Sequence, residues 1–211
     1  MYSLNSKNIF QSRDNLRVTV IDSGLGGIAF SRNIKVDIKY LDIKLLIDKE
    51  GFPYGDKELS WIKERLLSLV ESCNTNTIII ACNTLSSLIF HYNLEFNKTV
   101  VDVITPTIYF LLSKNYQKVC ILATKNTIKM NVYQRLLDSE VIYLDASKLI
   151  FDLQMKDNYQ SSLFEIIKLI PKGCDSLVLG CTHLIEIKDE FRKELAIDVV
   201  SQDEIFISLF K

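Results

Sequence analysis

The chain has 211 residues, of which 48% are hydrophobic and 24% charged, a composition typical of a globular protein with a core of its own. Its 25 basic and 26 acidic residues give a formal net charge of -1, which excludes the basic excess of a nucleic-acid-binding protein. No apolar run approaches the ~20 residues that a membrane-spanning helix needs. We therefore predict neither a nucleic-acid nor a membrane partner.

Short apolar runs rich in β-branched residues alternate with longer amphipathic segments. The predicted strands are residues 18–22, 43–48, 77–81, 100–104, 118–123, 141–145, 176–180 and 197–201. The predicted helices are residues 58–73, 85–96, 107–115, 127–139, 161–170 and 184–195. Nearly continuous apolar strands followed by helices predict parallel sheets covered on both faces, that is, a doubly wound α/β fold. Ligands of such folds bind at the carboxyl ends of the strands.

The N-terminal segment and the cysteines indicate the compartment. Residues 1–16 lack the apolar centre of a signal peptide, so we expect a cytoplasmic protein. The chain has an odd number of cysteines and no CxxC pair, which argues against a disulfide framework. Only His91 and His183 are available to join the thiols in a zinc site, so no metal is predicted.

One short stretch occurs twice, as IIIACNT at 78–84 and as LVLGCTH at 177–183. Each runs from a hydrophobic strand through a small residue to a cysteine and polar side chains. This repeat predicts two pseudo-symmetric α/β domains with the active site in the cleft between them. The first domain would comprise residues 1–104 plus 201–211, and the second residues 105–200.

Cys82 and Cys181 are the strongest candidate functional residues. Each is predicted to lie between a buried strand and a helix, where free N–H groups and the helix dipole favour a thiolate. Thr84 and Thr182 are expected to cap those helices. His183 can accept or supply a proton beside Cys181. The other three cysteines and His91 are interpreted as structural.

The segment VIDSGLGGIAF (20–30) contains the pattern G-x-G-x-x-A after a strand, and Asp48 ends the next strand. That is a dinucleotide-binding pattern, so a nucleotide-binding oxidoreductase is one open hypothesis. Alternatively, the glycines let a substrate approach backbone N–H groups while Asp22 takes part in the chemistry. A third interpretation is a tight strand-to-helix turn.

The segment GFPYGDK (51–57) is predicted to be a turn in which Gly55 permits a positive φ.

Two thiols that face each other across a small cleft suit racemisation. One thiolate removes a proton from a carbon, and the opposite thiol returns a proton to the other face. Backbone N–H groups and hydroxyls would stabilise the carbanion. Asp22 is expected to assist Cys82, and His183 to assist Cys181. No lysine lies in a context that suggests a pyridoxal Schiff base, so no cofactor is predicted.

The segments VIDSGLGG, FPYGDK, IIIACNT, ILATKNT and LVLGCTH together resemble, in the same order, glutamate racemase of the cofactor-independent aspartate/glutamate racemase superfamily. The resemblance implies the two-domain fold, a small dicarboxylic amino acid as substrate and a supply of D-glutamate for peptidoglycan. It implies that Cys82 and Cys181 are the acid/base pair, assisted by Asp22 and His183. The substrate-binding residues that it implies are Ser23, Pro53, Tyr54, Gly55, Asn83, Thr84, Thr124 and Thr182.

The chain departs from the family pattern at two places. Gln154 and Met155 stand where the family tends to carry a glutamate, and Thr105 precedes Pro106 where a glutamate is expected. Two alternatives therefore stay open: an aspartate racemase of the same superfamily, and a low-activity binding or regulatory homologue. The chain also ends sooner after His183 than is usual in the family, which favours a trimmed first domain and a homodimer.

Overall fold

Eight strands form two four-stranded sheets in the computed structural model, which describes residues 15–210. The strands are β1 (Leu16–Asp22), β2 (Leu41–Ile47), β3 (Thr77–Ile80), β4 (Thr99–Asp102), β5 (Lys118–Ala123), β6 (Glu140–Asp145), β7 (Ser176–Leu179) and β8 (Asp198–Val200). The sheet orders are β2-β1-β3-β4 and β6-β5-β7-β8, and every neighbouring pair is parallel. The second sheet thus repeats the topology of the first, and the predicted fold class is confirmed.

Helices connect the strands. They are α1 (Leu25–Asp37), α2 (Leu59–Ser72), α3 (Asn83–Tyr92), α4 (Ile104–Lys114), α5 (Lys125–Met130), α6 (Val132–Leu136), α7 (Ser147–Met155), α8 (Gln160–Leu169), α9 (Lys188–Glu194) and α10 (Gln202–Ser208), with short 3₁₀ segments at Tyr54–Asp56 and Thr182–Ile187. Within the described residues, none of these helices has both the length and the apolar character needed to cross a membrane.

Several helix predictions need correction. The predicted helix 127–139 is divided between α5 and α6, because Asn131 adopts a left-handed conformation with φ of 53°. The predicted helix 184–195 starts as a 3₁₀ segment and becomes α-helical only at Lys188. Helices α1, α7 and α10 are not among the predicted helices. Glycines at the start of α1 are poor helix formers, so the sequence pattern there did not indicate a helix.

Apolar side chains cover both faces of the sheets, as a doubly wound fold requires. In β3, Ile79 packs with α1, whereas Ile78 and Ile80 point to the opposite face. That opposite face belongs to a central core that also contains Ile121 of β5 and Val178 of β7. One continuous core therefore joins the two sheets.

The last part of the chain crosses back from the second sheet to the first. β8 pairs with β7, and α10 then packs against α1 with the Phe206 and Phe30 rings edge to face at 5.4 Å. This path runs in the direction of the predicted domain division, in which residues 201–211 rejoin the first domain. The exact boundaries after residues 104 and 200 stay predictions.

Candidate active site

A cavity of about 320 Å³ lies at the carboxyl ends of both sheets. Its volume is near the lower end of the range for small-molecule sites, roughly 300–1,000 Å³. The lining residues are Ser23, Phe52, Pro53, Tyr54, Gly55, Asp56, Cys82, Asn83, Thr84, Thr124, Lys125, Ser147, Lys148, Ile150, Phe151, Cys181, Thr182 and His183. All the predicted site residues except Asp22 therefore border a single cavity.

Cys82 and Cys181 occupy equivalent places, one after β3 and the other after β7. Both are free thiols and only 7% and 8% exposed, respectively. Burial, and secondarily the charge of Asp22, raises the pKa of Cys82 to about 12. Burial also raises the pKa of Cys181 well above its ordinary value. Both groups are therefore thiols at rest.

Backbone N–H groups oppose the effect of burial at each cysteine. The N–H groups of Thr84 and Leu85 at the start of α3 lower the pKa of Cys82. The N–H of His183 does the same for Cys181. Hydrogen bonds to the charged form of a group favour that form. Each sulfur thus has donors in place that stabilise a thiolate once its proton has left.

The threonines after the cysteines do not cap helices, and that prediction is wrong. Cys82 and Cys181 are themselves the N-cap residues, with no side-chain cap hydrogen bond. Helical geometry begins one residue after each cysteine, so Thr84 and Thr182 come too late to cap. Thr182 Oγ1 instead donates to Asp22 Oδ2 at 2.9 Å, and Thr84 Oγ1 hydrogen-bonds Thr124 Oγ1 at 2.9 Å.

Asp22 is fully buried and does not line the cavity. Its carboxylate accepts hydrogen bonds from the Gly24 N–H at 3.0 Å and from Thr182 Oγ1. Burial raises the pKa of Asp22 to about 6. Asp22 therefore holds the loop of the opposite half and influences Cys82 through its charge. Direct assistance to Cys82 stays a prediction.

We expect the free energy of unfolding to report on Asp22. A folded-state pKa raised from 3.8 to about 6 means that the native state binds this proton more tightly, so stability is lost as pH rises through that window. Asp22→Asn removes this loss, so it should be more stable than the unmodified protein at pH 7.5. Between pH 4 and pH 7.5 the difference in free energy of unfolding between the two proteins should move in favour of Asp22→Asn by up to roughly 3 kcal/mol. Urea unfolding at both pH values measures this. Asp37→Asn at the exposed end of α1 is the control, and a pH-independent difference for Asp22→Asn would contradict the expectation.

His183 bridges Cys181 and a glutamine from α7. Its Nδ1 lies 3.5 Å from Cys181 Sγ, and its Nε2 lies 2.8 Å from Gln154 Oε1. The Phe52 ring packs beside the imidazole at a centroid distance of 5.7 Å. Burial lowers the pKa of His183 to about 4, so the imidazole is neutral near pH 7. Gln154 thus occupies the place where the family resemblance indicates a glutamate.

The glycines of the GLGG segment make room for the opposite half of the molecule. A Cβ on Gly24 would lie 2.4 Å from Gln154 Oε1, and a Cβ on Gly26 would lie 2.3 Å from Thr182 Oγ1 and 2.5 Å from the His183 backbone nitrogen. The space above these glycines is therefore filled by protein. Of the three interpretations, this close packing favours a tight strand-to-helix turn. The approach of a ligand to the backbone N–H groups stays a prediction.

Asp48 also has a structural task. Arg65 donates to it twice, Nε at 2.8 Å and Nη2 at 2.6 Å, and the Tyr54 hydroxyl and Gly51 N–H donate as well. The Asp48 side chain is only 1% exposed. It is thus unavailable to a ribose, and it anchors the loop that contains Tyr54 beside the cavity.

The segment 51–57 forms the predicted turn, but for a different reason. Among the described residues, the glycine with a positive φ is Gly173 rather than Gly55. Gly55 eases a close approach, because a Cβ there would lie 3.1 Å from the Thr124 Cβ. Asn126 Nδ2 donates to the carbonyl groups of Tyr54 and Lys57, both at 2.7 Å. The second half therefore holds this loop of the first half.

Polar clusters beside the cavity also join the two halves. Thr127 Oγ1 lies 3.0 Å from Thr124 Oγ1 and 3.2 Å from Thr84 Oγ1, so three hydroxyls meet. The Asn83 side chain exchanges hydrogen bonds with Gln202, Nδ2 to Oε1 at 2.5 Å and Nε2 to Oδ1 at 3.0 Å. The Asn83 side chain is therefore held by α10.

Several lining residues were missed by sequence reasoning because α7 was not predicted. This helix contributes Ser147, Lys148, Ile150 and Phe151, the last of which is half exposed. Lys148 Nζ pairs with Asp152, and Lys125 Nζ pairs with Asp56, both at 3.0 Å. Two ammonium groups thus border the cavity. Residues 15–210 contain no cluster of three or more His, Cys, Asp or Glu side chains arranged to hold a metal ion.

Comparison with known proteins assigns the family. The model of the Asp/Glu/Hydantoin racemase family matches residues 55–207, most of the chain. This chain belongs to that family. It is accordingly an amino-acid racemase, an isomerase. A glutamate racemase from Fusobacterium nucleatum is 30% identical over 200 residues, which cover 87% of this chain and 75% of that protein. The sequence resemblance is confirmed.

Solved racemase structures share the fold. Glutamate racemase from Francisella tularensis, in complex with D-glutamate, superposes with a TM-score of 0.79 at 25% identity, covering 93% of this chain and 80% of that one. Aspartate racemase from Picrophilus torridus superposes with a TM-score of 0.69 at 22% identity, covering 93% and 95%. The fold is therefore common to racemases of both amino acids.

Proposed function

We propose that this racemase interconverts L- and D-glutamate without a cofactor, using Cys82 and Cys181 as its two acid/base groups. The observation that supports the proposal most is that these cysteines follow equivalent strands of two like sheets and border one small cavity. The glutamate racemase from Fusobacterium nucleatum supports the choice of substrate.

The proposed reaction has two proton transfers. The thiolate of one cysteine takes the α-proton, which leaves a carbanion, and the thiol of the other cysteine donates its proton to the opposite face. Each turnover exchanges the protonation states of the two sulfurs, so their titration belongs to the pair. A thiol with a raised pKa forms a strong base when it is ionised, which suits an α-proton of very low acidity.

The polar groups around the cavity would hold the substrate. The hydroxyls of Ser23, Thr124 and Thr182 and the backbone N–H groups at the start of α3 are donors for carboxylates. Ser23 Oγ lies 4.0 Å from Cys82 Sγ, which supports a role for this hydroxyl beside the reacting thiol. We propose binding roles for these residues and for Pro53, Tyr54, Gly55, Asn83 and Thr84, whose turn and helix start form the remaining polar wall.

In the cell, the product would be D-glutamate for peptidoglycan, made in the cytoplasm. A homodimer is proposed as well. The chemistry of the cavity does not depend on it, because residues from both halves of one chain line the cavity.

Aspartate is the second candidate substrate. Gln154 replaces the acid expected for glutamate racemases, and the fold is shared with the aspartate racemase from Picrophilus torridus. A binding protein of low activity is the third candidate. It has no need of two thiols at one cavity, and for this reason we favour an active enzyme.

A single assay separates these candidates. Purified protein is mixed with L- or D-glutamate, or with L- or D-aspartate, without added cofactor. The loss of ellipticity of the amino acid is followed by circular dichroism. We expect both glutamate enantiomers to reach the racemate and aspartate to react at least about tenfold more slowly, the scale of discrimination that one methylene supports. Faster conversion of aspartate would reassign the substrate, and no conversion of either would favour the binding protein.

A further inference from the structure

Gln202 belongs to a cluster of buried polar side chains beside the cavity. It is the first residue of α10, and it contacts Asn83, a cavity-lining residue of α3 that lies 119 residues away in the sequence. Tyr133 of α6 and Thr107 of α4 complete the cluster. All four side chains are at most 2% exposed. Each polar atom of the cluster therefore needs a partner within the protein or in the cavity.

Thr107 determines the direction of the Gln202 amide. Thr107 Oγ1 donates its one proton to the Val103 carbonyl at 2.7 Å, a usual length for such a bond. The Gln202 atom that lies 3.4 Å from Thr107 Oγ1 must then be the donor Nε2 rather than the oxygen. The same Nε2 donates to the Tyr133 hydroxyl at 3.1 Å. Gln202 thus turns its NH₂ group toward α4 and α6.

The direction of the Gln202 amide fixes that of Asn83. Gln202 Oε1 accepts from Asn83 Nδ2 at 2.5 Å, and Gln202 Nε2 donates to Asn83 Oδ1 at 3.0 Å. The Tyr133 hydroxyl also donates to Asn83 Oδ1 at 3.0 Å, so both lone pairs of this oxygen are occupied. Asn83 Nδ2 keeps one N–H that has no acceptor within residues 15–210. Because Asn83 borders the cavity, this N–H is the group available to a ligand there.

We propose that Gln202 is a positioning residue that holds the Asn83 amide with an N–H, rather than its oxygen, available to a carboxylate of the substrate. The proposal rests on the dicarboxylic amino acid proposed above as substrate. With both amides reversed, Asn83 Nδ2 would use its two protons on Gln202 and Tyr133, and a lone pair of Oδ1 would face the cavity. A lone pair repels a carboxylate, whereas an N–H binds it. The two directions have nearly the same shape, so hydrogen bonding rather than packing selects between them.

Gln202→Met tests the proposal by kinetics, because it keeps the approximate length of the side chain without its donor and acceptor. We expect KM for both enantiomers of glutamate to rise about tenfold or more, the scale of one hydrogen bond to a charged group. We expect kcat to change by less than about threefold, because this bond forms in the bound substrate as well as in the transition state. Gln160→Met makes the same substitution at an exposed residue of α8 and should keep the unmodified KM.

Asn83→Ala separates positioning from general support of the fold. In a chain that already carries Asn83→Ala, Gln202→Met should raise KM further by less than about twofold, because the amide that it positions is gone. An equal rise in KM with and without Asn83 would overturn the proposal. An unchanged KM in folded Gln202→Met would overturn it as well.

NMR of the labelled protein reads the amide directions without turnover. In the unmodified protein we expect NOEs between the Gln202 Nε2 protons and the Thr107 methyl group. Addition of D-glutamate should shift one of the two Asn83 Nδ2 proton signals. In Gln202→Met both directions of the Asn83 amide should be populated, which gives stronger NOEs between the Nδ2 protons and the Tyr133 ring.

The outcomes are distinguishable from a failure of the proposed function. Gln202 Nε2 protons that do not contact the Thr107 methyl group would refute the positioning role, whatever the activity. If Gln202→Met does not fold, Thr107→Val takes its place, since it has the same shape without the acceptor. We then expect a raised KM and stronger contacts of Asn83 Nδ2 with Tyr133, and unchanged values would refute the role. The expected contacts in a protein that racemises neither glutamate nor aspartate would support the positioning role and refute the proposed function.

Discussion

Cys82→Ser and Cys181→Ser are each expected to lower kcat for racemisation by roughly 10²–10⁴-fold, the usual contribution of a general acid or base. A serine hydroxyl occupies nearly the same space, but it is a far weaker acid than a thiol and does not ionise in this buried setting. Circular dichroism of both enantiomers measures the loss. The two effects should be of similar size, because every turnover in either direction uses both sulfurs.

Cys73→Ser is the matched control for these variants. Cys73 is also buried, and its thiol donates to the Leu69 carbonyl at 3.2 Å, an acceptor that a serine can use. Its activity should stay at the unmodified level. If Cys82→Ser or Cys181→Ser racemises as fast as Cys73→Ser, the two-thiol mechanism is wrong.

Isotope labelling examines the same mechanism without mutation. In heavy water, the first turnovers should place deuterium mainly in the inverted product, because the group that reprotonates the carbanion differs from the group that removed its proton. Equal deuterium in recovered substrate and in product would point to one base that serves both faces.

Gly26→Ala is expected to lower kcat/KM by about 100-fold and to destabilise the fold by roughly 1–3 kcal/mol. The new methyl group would overlap the Thr182 side chain and the backbone between Thr182 and His183. Backbone cannot rotate out of the way as the end of a side chain can. The loop that contains Cys181 must therefore shift, and an error of about 1 Å in the position of a reacting group costs about that much in rate.

Ile28→Ala tests whether α1 itself is sensitive to change. Ile28 lies on the same helix two residues later and is 46% exposed, so its truncation removes little buried surface. We expect nearly unmodified kinetics and a small change in the free energy of unfolding, measured by urea titration. A Gly26→Ala variant that behaves like Ile28→Ala would show that the two halves are not in close contact at this point.

The regular part of the fold was open to prediction from pattern. β3 and β7 are four-residue strands with every residue buried, and such runs between helices are typical of parallel sheets. The cysteines could be found because each stands directly after such a strand, and in parallel sheets strand ends form ligand sites. The repeat of IIIACNT in LVLGCTH indicated that the two ends are equivalent.

Residues that lie within helices could not be found in the same way. Gln202 and Tyr133 hydrogen-bond Asn83, and Asn126 holds the loop at Tyr54, but each is one polar residue in an ordinary helical segment. Nothing in its own neighbourhood distinguishes it from a solvated side chain. Gln154 carried a weak signal, since it stands where the resemblance indicates a glutamate, but its contact with the Leu25 N–H had none.

The order of residues alone was enough to establish the α/β class, the two like halves and the cysteines at their strand ends, because periodicity and strand termini are local properties of a chain. The tertiary structure was needed to show that the GLGG glycines allow close contact with the opposite half. It was also needed to show which hydrogen-bond partner each polar side chain has. Those choices depend on contacts across more than 100 residues of sequence, such as that between Asp22 and Thr182. Contacts at that range follow from how the shared core packs one sheet against the other, and no local pattern encodes them.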